Sequence, residues 1–100
     1  MNLESTTGMI SFMRRMQQKL RPLYRRRHWG ERQLVSDVLR VYRLLTDDGL
    51  LESLRGPDGT CDARRLAPLA RAWFGHRKKV TEHVLMLLSM AEELSNNQDV

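Results

Sequence analysis

The fold is decided by residues 31–45, which read ERQLVSDVLRVYRLL. Apolar residues recur there at a spacing close to 3.6 residues, the period of an α-helix, and the alternation typical of a strand is absent. The apolar positions are Leu34, Val35, Val38, Leu39, Val41, Tyr42 and Leu45. The polar positions are Arg32, Asp37, Arg40 and Arg43, which we expect on the opposite side. This stretch therefore predicts an amphipathic helix with one face in a core.

The preceding segment also has a helical period. Its apolar positions are Met9, Met13, Met16, Leu20 and Leu23. They predict a first helix over about residues 8–20. Because Pro22 lacks an amide hydrogen and restricts Arg21, we expect the helix to stop or kink there. Gly30 would then allow the chain to change direction.

Two turns follow the helix that begins near residue 31. Residues 46–49 (TDDG) combine aspartate and glycine, and residues 56–59 (GPDG) add a proline, in the manner of tight turns. A short leucine-rich helix between the turns is expected to be capped by Asp47 or Asp48.

The last third of the sequence predicts two more helices. The first should begin after a cap at Asp62 or Thr60 and end at Gly75. The second, over about residues 80–94, is unusually apolar. Its apolar positions are Val80, Val84, Leu87, Leu88, Ala91 and Leu94. Residues 95–100 have nothing to bury, so we expect them to fray.

Taken together, the segments predict an all-α fold, a small bundle of four to five helices in a single domain spanning residues 1–100. The domain consists of a basic N-terminal segment (8–30), a helical core (31–94) and the frayed tail. A chain of this length builds one core, and it gains stability readily from a partner, so a homo-oligomer is plausible.

The positive charge of the chain is concentrated near its start. The net charge is +5, yet residues 5–30 carry seven arginine or lysine side chains and no acid, whereas the remainder is nearly balanced. Such a local excess attracts polyanions, and the planar guanidinium of arginine fits phosphate oxygens. The basic N-terminal third therefore predicts contact with a nucleic-acid backbone.

The candidate phosphate-binding residues form two clusters. They are Arg14, Arg15, Lys19, Arg21, Arg25, Arg26 and Arg27 in the first cluster, and Arg77, Lys78 and Lys79 in the second. If the fold brings the clusters together, they form one groove. Tyr24 and Trp29 are interleaved with the first cluster and are candidates for stacking on unpaired bases.

These features favour a non-enzymatic nucleic-acid-binding module, a small subunit or regulator in a nucleoprotein assembly, with RNA and DNA both open. The alternative is a helical adaptor or regulatory protein that binds a partner protein through the apolar faces of its first and last helices, without nucleic acid. The composition of residues 5–29 also suits a mitochondrial targeting segment.

No chemistry-bearing motif occurs in the sequence. Glycine-rich phosphate loops and nucleophile elbows are absent, and Cys61 and the three histidines lack the spacing of a metal site. We therefore predict no catalytic, metal or cofactor site. A single cysteine and the lack of a long apolar run predict a soluble intracellular protein, cytoplasmic or in the nucleoid or nucleus, without a membrane partner.

Overall fold

The computed structural model describes residues 3–96, which form five helices. They are α1 (Thr6–Arg26), α2 (Glu31–Thr46), α3 (Leu50–Ser53), α4 (Ala63–Phe74) and α5 (Val80–Asn96). Within that range there is no strand, and one isolated antiparallel bridge joins Arg55 to Cys61. The predicted all-α fold is confirmed.

Helix α1 is longer than the sequence predicted. It begins at a cap in which Ser5 accepts a hydrogen bond from the Gly8 amide at 3.0 Å, and it continues through Pro22 to Arg26. The predicted end of the first helix near residue 20 is therefore wrong. Pro22 and Gln18 are both exposed, so the Gln18 carbonyl that proline cannot bond faces water.

The core lies between α1, α2, α4 and α5. Helix α1 packs against α2 and α5, and α4 packs against α5. The fully buried centre is formed by Phe12, Met16, Leu20, Val38, Val41, Leu66, Val84 and Leu87. With a radius of gyration of 13.3 Å, the described residues form one compact globule.

Helix α2 is rotated relative to the prediction. Asp37, expected on the polar side, is 0% exposed, whereas Val35 and Leu39, expected on the apolar side, are 42% and 37% exposed. The buried line of the helix runs through Leu34, Val38, Val41 and Leu44. Burying a carboxylate costs free energy unless it is paired or hydrogen-bonded, so Asp37 is expected to have partners in the core.

The turns confirm one predicted cap and correct another. Asp62 caps α4 by accepting a hydrogen bond from the Arg64 amide at 2.9 Å, as expected. Helix α3 is instead preceded by Gly49 in a left-handed conformation, with φ of 75° and no side-chain cap, so the expected cap by Asp47 or Asp48 is wrong.

The end of α4 is confirmed and the end of α5 is corrected. Gly75 terminates α4 with φ of 87°, a backbone conformation that favours glycine. Helix α5 includes Ser95 and Asn96, so the predicted frayed tail does not begin at residue 95. The rest of that predicted tail, residues 97–100, lies outside the described residues.

Candidate functional site

The end of α1 is a tight cap that reverses the chain. The amide of Trp29 donates to the Tyr24 carbonyl at 2.9 Å and the amide of His28 donates to the Arg25 carbonyl at 3.1 Å, which is the Schellman pattern. The left-handed residue is His28, with φ of 57°. Gly30 has φ of −72°, so the change of direction expected there occurs two residues earlier.

Behind this cap lies a buried cluster around the carboxylate of Asp37. Tyr24 donates its hydroxyl to Asp37 Oδ2 at 2.5 Å, and Gln33 Nε2 donates to Oδ1 at 2.7 Å. Arg77 Nη2 lies 3.2 Å from Oδ1 and 3.1 Å from Oδ2. The cluster therefore ties α1, α2 and the α4–α5 loop to one carboxylate.

His83 adds α5 to the same cluster. Its Nε2 lies 2.9 Å from the Tyr24 hydroxyl oxygen. Because Tyr24 has one hydroxyl proton and donates it to Asp37, the oxygen of Tyr24 accepts from His83, so Nε2 carries a proton. The indole of Trp29 packs edge-on against both rings, with centroid distances of 5.1 Å to Tyr24 and to His83.

The protonation states in the cluster follow from these contacts. Burial alone would raise the pKa of Asp37, but hydrogen bonds from its neighbours and the charge of Arg77 outweigh it and hold that pKa below its ordinary value. Burial, and then the hydrogen bond to Asp37, raise the pKa of Tyr24 well above its usual range. The cluster is therefore an ionised carboxylate held by a neutral phenol and a cation.

Arg77 connects the buried cluster to the surface. Its side chain is 24% exposed, and its guanidinium carbon lies 5.4 Å from the centre of the Trp29 ring. The Nε and Nη1 atoms are buried without a hydrogen-bond partner in the described part of the chain. One nitrogen thus carries the contact with Asp37, and Arg77 acts mainly to hold the α4–α5 loop in place.

The two predicted basic clusters meet at Trp29. The guanidinium carbon of Arg27, from the first cluster, lies 5.5 Å from the centre of the Trp29 ring. That of Arg77, from the second cluster, lies 5.4 Å from the same point. A groove of about 280 Å³, here called the Trp29 groove, opens beside them. Its lining includes Leu23, Arg27, Trp29, Lys78, Lys79 and His83.

The surface around this meeting point is basic and exposed, and we call it the basic end. It comprises Arg25, Arg26, Arg27, His28, Arg32, His76, Lys78 and Lys79. Within residues 3–96, none of these side chains forms an ion pair with an acid. The opposite end, where α2 and α5 finish, carries the exposed acids Asp47, Asp48, Glu52 and Glu93. Exposed arginines such as Arg43 and Arg64 also lie toward that end, so the basic end is distinguished by its excess of cations over acids.

The remaining predicted phosphate ligands lie along α1. Lys19 is one turn before Leu23, which lines the Trp29 groove, and Arg15 is one turn before Lys19, so an exposed stripe leads to the groove. Arg14 is also exposed but lies on the other flank of the helix. Arg21 is taken up in a bidentate pair with Glu31, at 2.7 and 3.2 Å, so its charge is neutralised.

The two stacking candidates are placed differently from expectation. Tyr24 is 1% exposed and bonded to Asp37, so it has no ring face to offer a base, and that prediction is corrected. Trp29 is partly exposed, and the guanidinium carbons of Arg27 and Arg77 lie 5.5 and 5.4 Å from the centre of its ring. Both aromatic residues stabilise the meeting of the basic clusters.

A second concavity, which the sequence did not indicate, lies between α2 and α4. This α2–α4 cleft has a volume of about 640 Å³. Its lining includes Arg32, Gln33, Ser36, Arg40, Trp73 and Gly75. The two arginines were expected on the polar side of α2. The cleft could not be recognised because it depends on how these helices pack.

Neither a metal site nor a membrane span is evident in the described part of the chain. No group of three or more histidine, cysteine, aspartate or glutamate side chains there is arranged to hold a metal ion. Among residues 3–96, no helix is both long and apolar enough to cross a bilayer.

Comparison with known proteins gives no match, whether with protein-family models, with curated proteins or with solved structures. The role of the basic end is therefore inferred from its own geometry and charge.

Proposed function

We propose that the basic end is a nucleic-acid-binding surface and that the protein is a non-enzymatic binding module within a nucleoprotein assembly. One observation carries this proposal. The end of α1, the start of α2 and the α4–α5 loop converge on one exposed patch whose cations form no ion pair within the described residues. Glu31 lies near Arg25 and Glu82 lines the Trp29 groove, but the cations outnumber these acids. An unneutralised patch of this kind attracts a polyanion.

Phosphate oxygens suit the residues that form the patch. Arginine donates in a rigid planar fork, and each neutralised phosphate releases condensed counterions. From Arg15 to Arg26 the α1 stripe extends roughly 16 Å, which is about five phosphate spacings along one strand of a duplex. The proposal therefore involves several successive phosphates.

The backbone of the basic end supports a preorganised surface. His28 and Lys79 have φ of 57° and 59°, and they are the positive-φ residues other than glycine among residues 3–96. Such conformations cost of order 1 kcal/mol or more, and they persist where surrounding contacts hold them. The contacts made by Asp37 and Trp29 hold both segments in place. Binding a ligand should therefore cost little conformational entropy in the backbone of the basic end.

The adaptor alternative has less support. The apolar residues it would use include Met16, Leu20, Val84 and Leu87, each of which is 0% exposed inside the chain's own core. A partner could reach them only if the bundle opened, which would expose the core to water. Because Cys61 is a free thiol, a reducing intracellular compartment is part of the proposal.

The proposal is tested by fluorescence anisotropy with labelled single-stranded RNA, single-stranded DNA and duplex DNA over a range of salt concentrations. The variant is Arg25→Gln with Arg26→Gln, since both side chains are exposed and no ion pair holds them. The matched control is Arg43→Gln with Arg64→Gln, which removes the same charge from exposed sites far from the basic end.

We expect salt-steep binding by the wild-type protein and by the control. For a single strand, the basic-end variant should reduce the slope of log affinity against log salt by about 1.4, since each lost phosphate contact contributes about 0.7. Equal slopes in the two double variants, or no binding by folded protein at low salt, would contradict the proposal.

A further inference from the structure

We propose that the α2–α4 cleft receives an unpaired nucleobase, which makes single-stranded nucleic acid the preferred ligand of this protein. This inference rests on the proposed function. The cleft adjoins the basic end through Gly30 and Gly75, so a strand held by the phosphate-binding patch passes its mouth. Its volume of about 640 Å³ lies within the range of small-molecule sites.

Trp73 supplies a stacking surface in this cleft. Its indole is partly exposed and lines the cleft, and no ring or guanidinium group of the described residues packs on it. The ring of Trp29, in contrast, contacts two aromatic rings and two guanidinium groups. A base in a duplex has both faces covered by its neighbours, so an unpaired base is the species that can stack on Trp73.

The floor of the cleft offers groups that fit the edge of a base. Gln33 donates its amide nitrogen to the Asp37 carboxylate, which can only accept, so the amide oxygen is fixed as the remaining acceptor. Ser36 accepts a hydrogen bond from Arg40, which leaves its hydroxyl proton available for donation. One acceptor and one donor therefore lie side by side on α2.

Two arginines complete the site. Arg32 is exposed and Arg40 is partly exposed, and both line the cleft. Neither has an acidic partner among residues 3–96. They can hold the phosphates on either side of an inserted base, which is the combination of stacking and charge that single-strand-binding proteins use. Asp37 acts as a positioning residue, since it fixes Gln33 in the cleft and Arg77 beside the basic end.

The first test follows the two tryptophans separately. Protein labelled with 5-fluorotryptophan should give two ¹⁹F resonances, which a Trp73→Phe variant assigns. A short oligouridylate should shift the Trp73 resonance, and an RNA duplex at the same phosphate concentration should not. Equal shifts from both ligands, or a shift of the Trp29 resonance alone, would overturn the inference.

The second test measures affinity for the same oligouridylate. Replacing Trp73 by Leu should weaken binding about 5- to 150-fold, the equivalent of one lost stacked base, without changing the salt slope. Trp73→Phe should restore part of the affinity. Because Trp73 also packs on the core, a second variant is Arg40→Gln, which changes a cleft residue outside the basic end and should reduce the salt slope by about 0.7.

The outcomes separate this inference from the proposed function. If single strands and duplexes bind with the same salt-steep affinity, and Trp73→Leu and Arg40→Gln bind like the wild-type protein, the basic end still binds nucleic acid but the cleft does not. If no nucleic acid binds at low salt, both proposals fail.

Discussion

Replacing Asp37 by Asn would test the buried cluster that holds the basic end together. The substitution keeps the shape of the side chain but removes the charge that Arg77 faces at 3.1 Å and places an amide near the Tyr24 hydroxyl. Hydrogen bonds to a charged group contribute about 1.5–3 kcal/mol each. Breaking a buried ion pair costs about 3–5 kcal/mol.

The expected loss lies at the lower end of that range, because the Arg77 side chain is 24% exposed and the pair is not fully buried. We expect about 3 kcal/mol less free energy of unfolding. For a domain of this size that corresponds to a fall in Tm of roughly 12–24 °C. Urea and thermal unfolding followed by circular dichroism measure both quantities.

The controls and the pH dependence make this prediction specific. Asp48→Asn, at an exposed position, should change the free energy of unfolding by less than about 0.5 kcal/mol. Since the fold lowers the pKa of Asp37, its contribution is complete above about pH 4 and is lost as the pH falls through the lowered value. The gap between wild type and Asp37→Asn should therefore close in acid. A variant within 1 kcal/mol of the wild type at neutral pH would refute the reasoning.

Three further predictions concern a cap, an ion pair and a thiol. Gly30→Ser should stabilise the fold by about 0.5 kcal/mol, because a Cβ there meets open space at the start of α2; Gly49→Ser, at φ of 75°, should instead lower the Tm. Arg21→Gln should leave the Tm nearly unchanged, because an exposed ion pair stabilises little. It should also reduce affinity for single-stranded RNA less than Arg25→Gln does, since Glu31 already pairs with Arg21. Burial raises the pKa of the Cys61 thiol, so its alkylation by iodoacetamide at pH 8 should be slower than that of glutathione; a faster reaction would contradict that environment.

Periodicity and local signals predicted most of the helices. The apolar spacing of residues 31–45 and 80–94 corresponds to α2 and α5, and Asp62, one of the two caps predicted for α4, is the one observed. These features depend on residues close together in sequence. The continuation of α1 through Pro22 depends on tertiary packing instead. Tyr24 is buried beyond the proline, and its burial stabilises a helix that local rules would end.

The buried cluster could not be predicted from local pattern, because the donors to Asp37 come from distant parts of the chain. Tyr24 is 13 residues away and Arg77 is 40 residues away. One signal was present but was read as polar: Asp37 follows Leu34 by three residues and precedes Val41 by four, so it borders the apolar line of α2. A buried polar residue indicates a buried partner. The chain has many cations, so the sequence does not say which of them pairs with Asp37.

The candidate site was predicted only in part, because it too combines residues that are distant in the sequence. The charge excess of residues 5–30 located the end of α1, and its meeting with the α4–α5 loop was raised as a possibility that only the packing of the helices decides. The α2–α4 cleft was missed because arginines on the polar face of an amphipathic helix, as Arg32 and Arg40 are, give no sign that a second helix packs beside them.

Mapping the contact surface by NMR tests the central claim most directly. Backbone amide shifts of ¹⁵N-labelled protein would be recorded as a short single-stranded RNA is added at low salt. We predict that the largest changes fall on residues 25–33 and 75–80, with little change around Asp47, Asp48 and Glu52 at the opposite end. Changes spread evenly over the molecule, or concentrated at that acidic end, would contradict the assignment of the basic end as a nucleic-acid-binding surface.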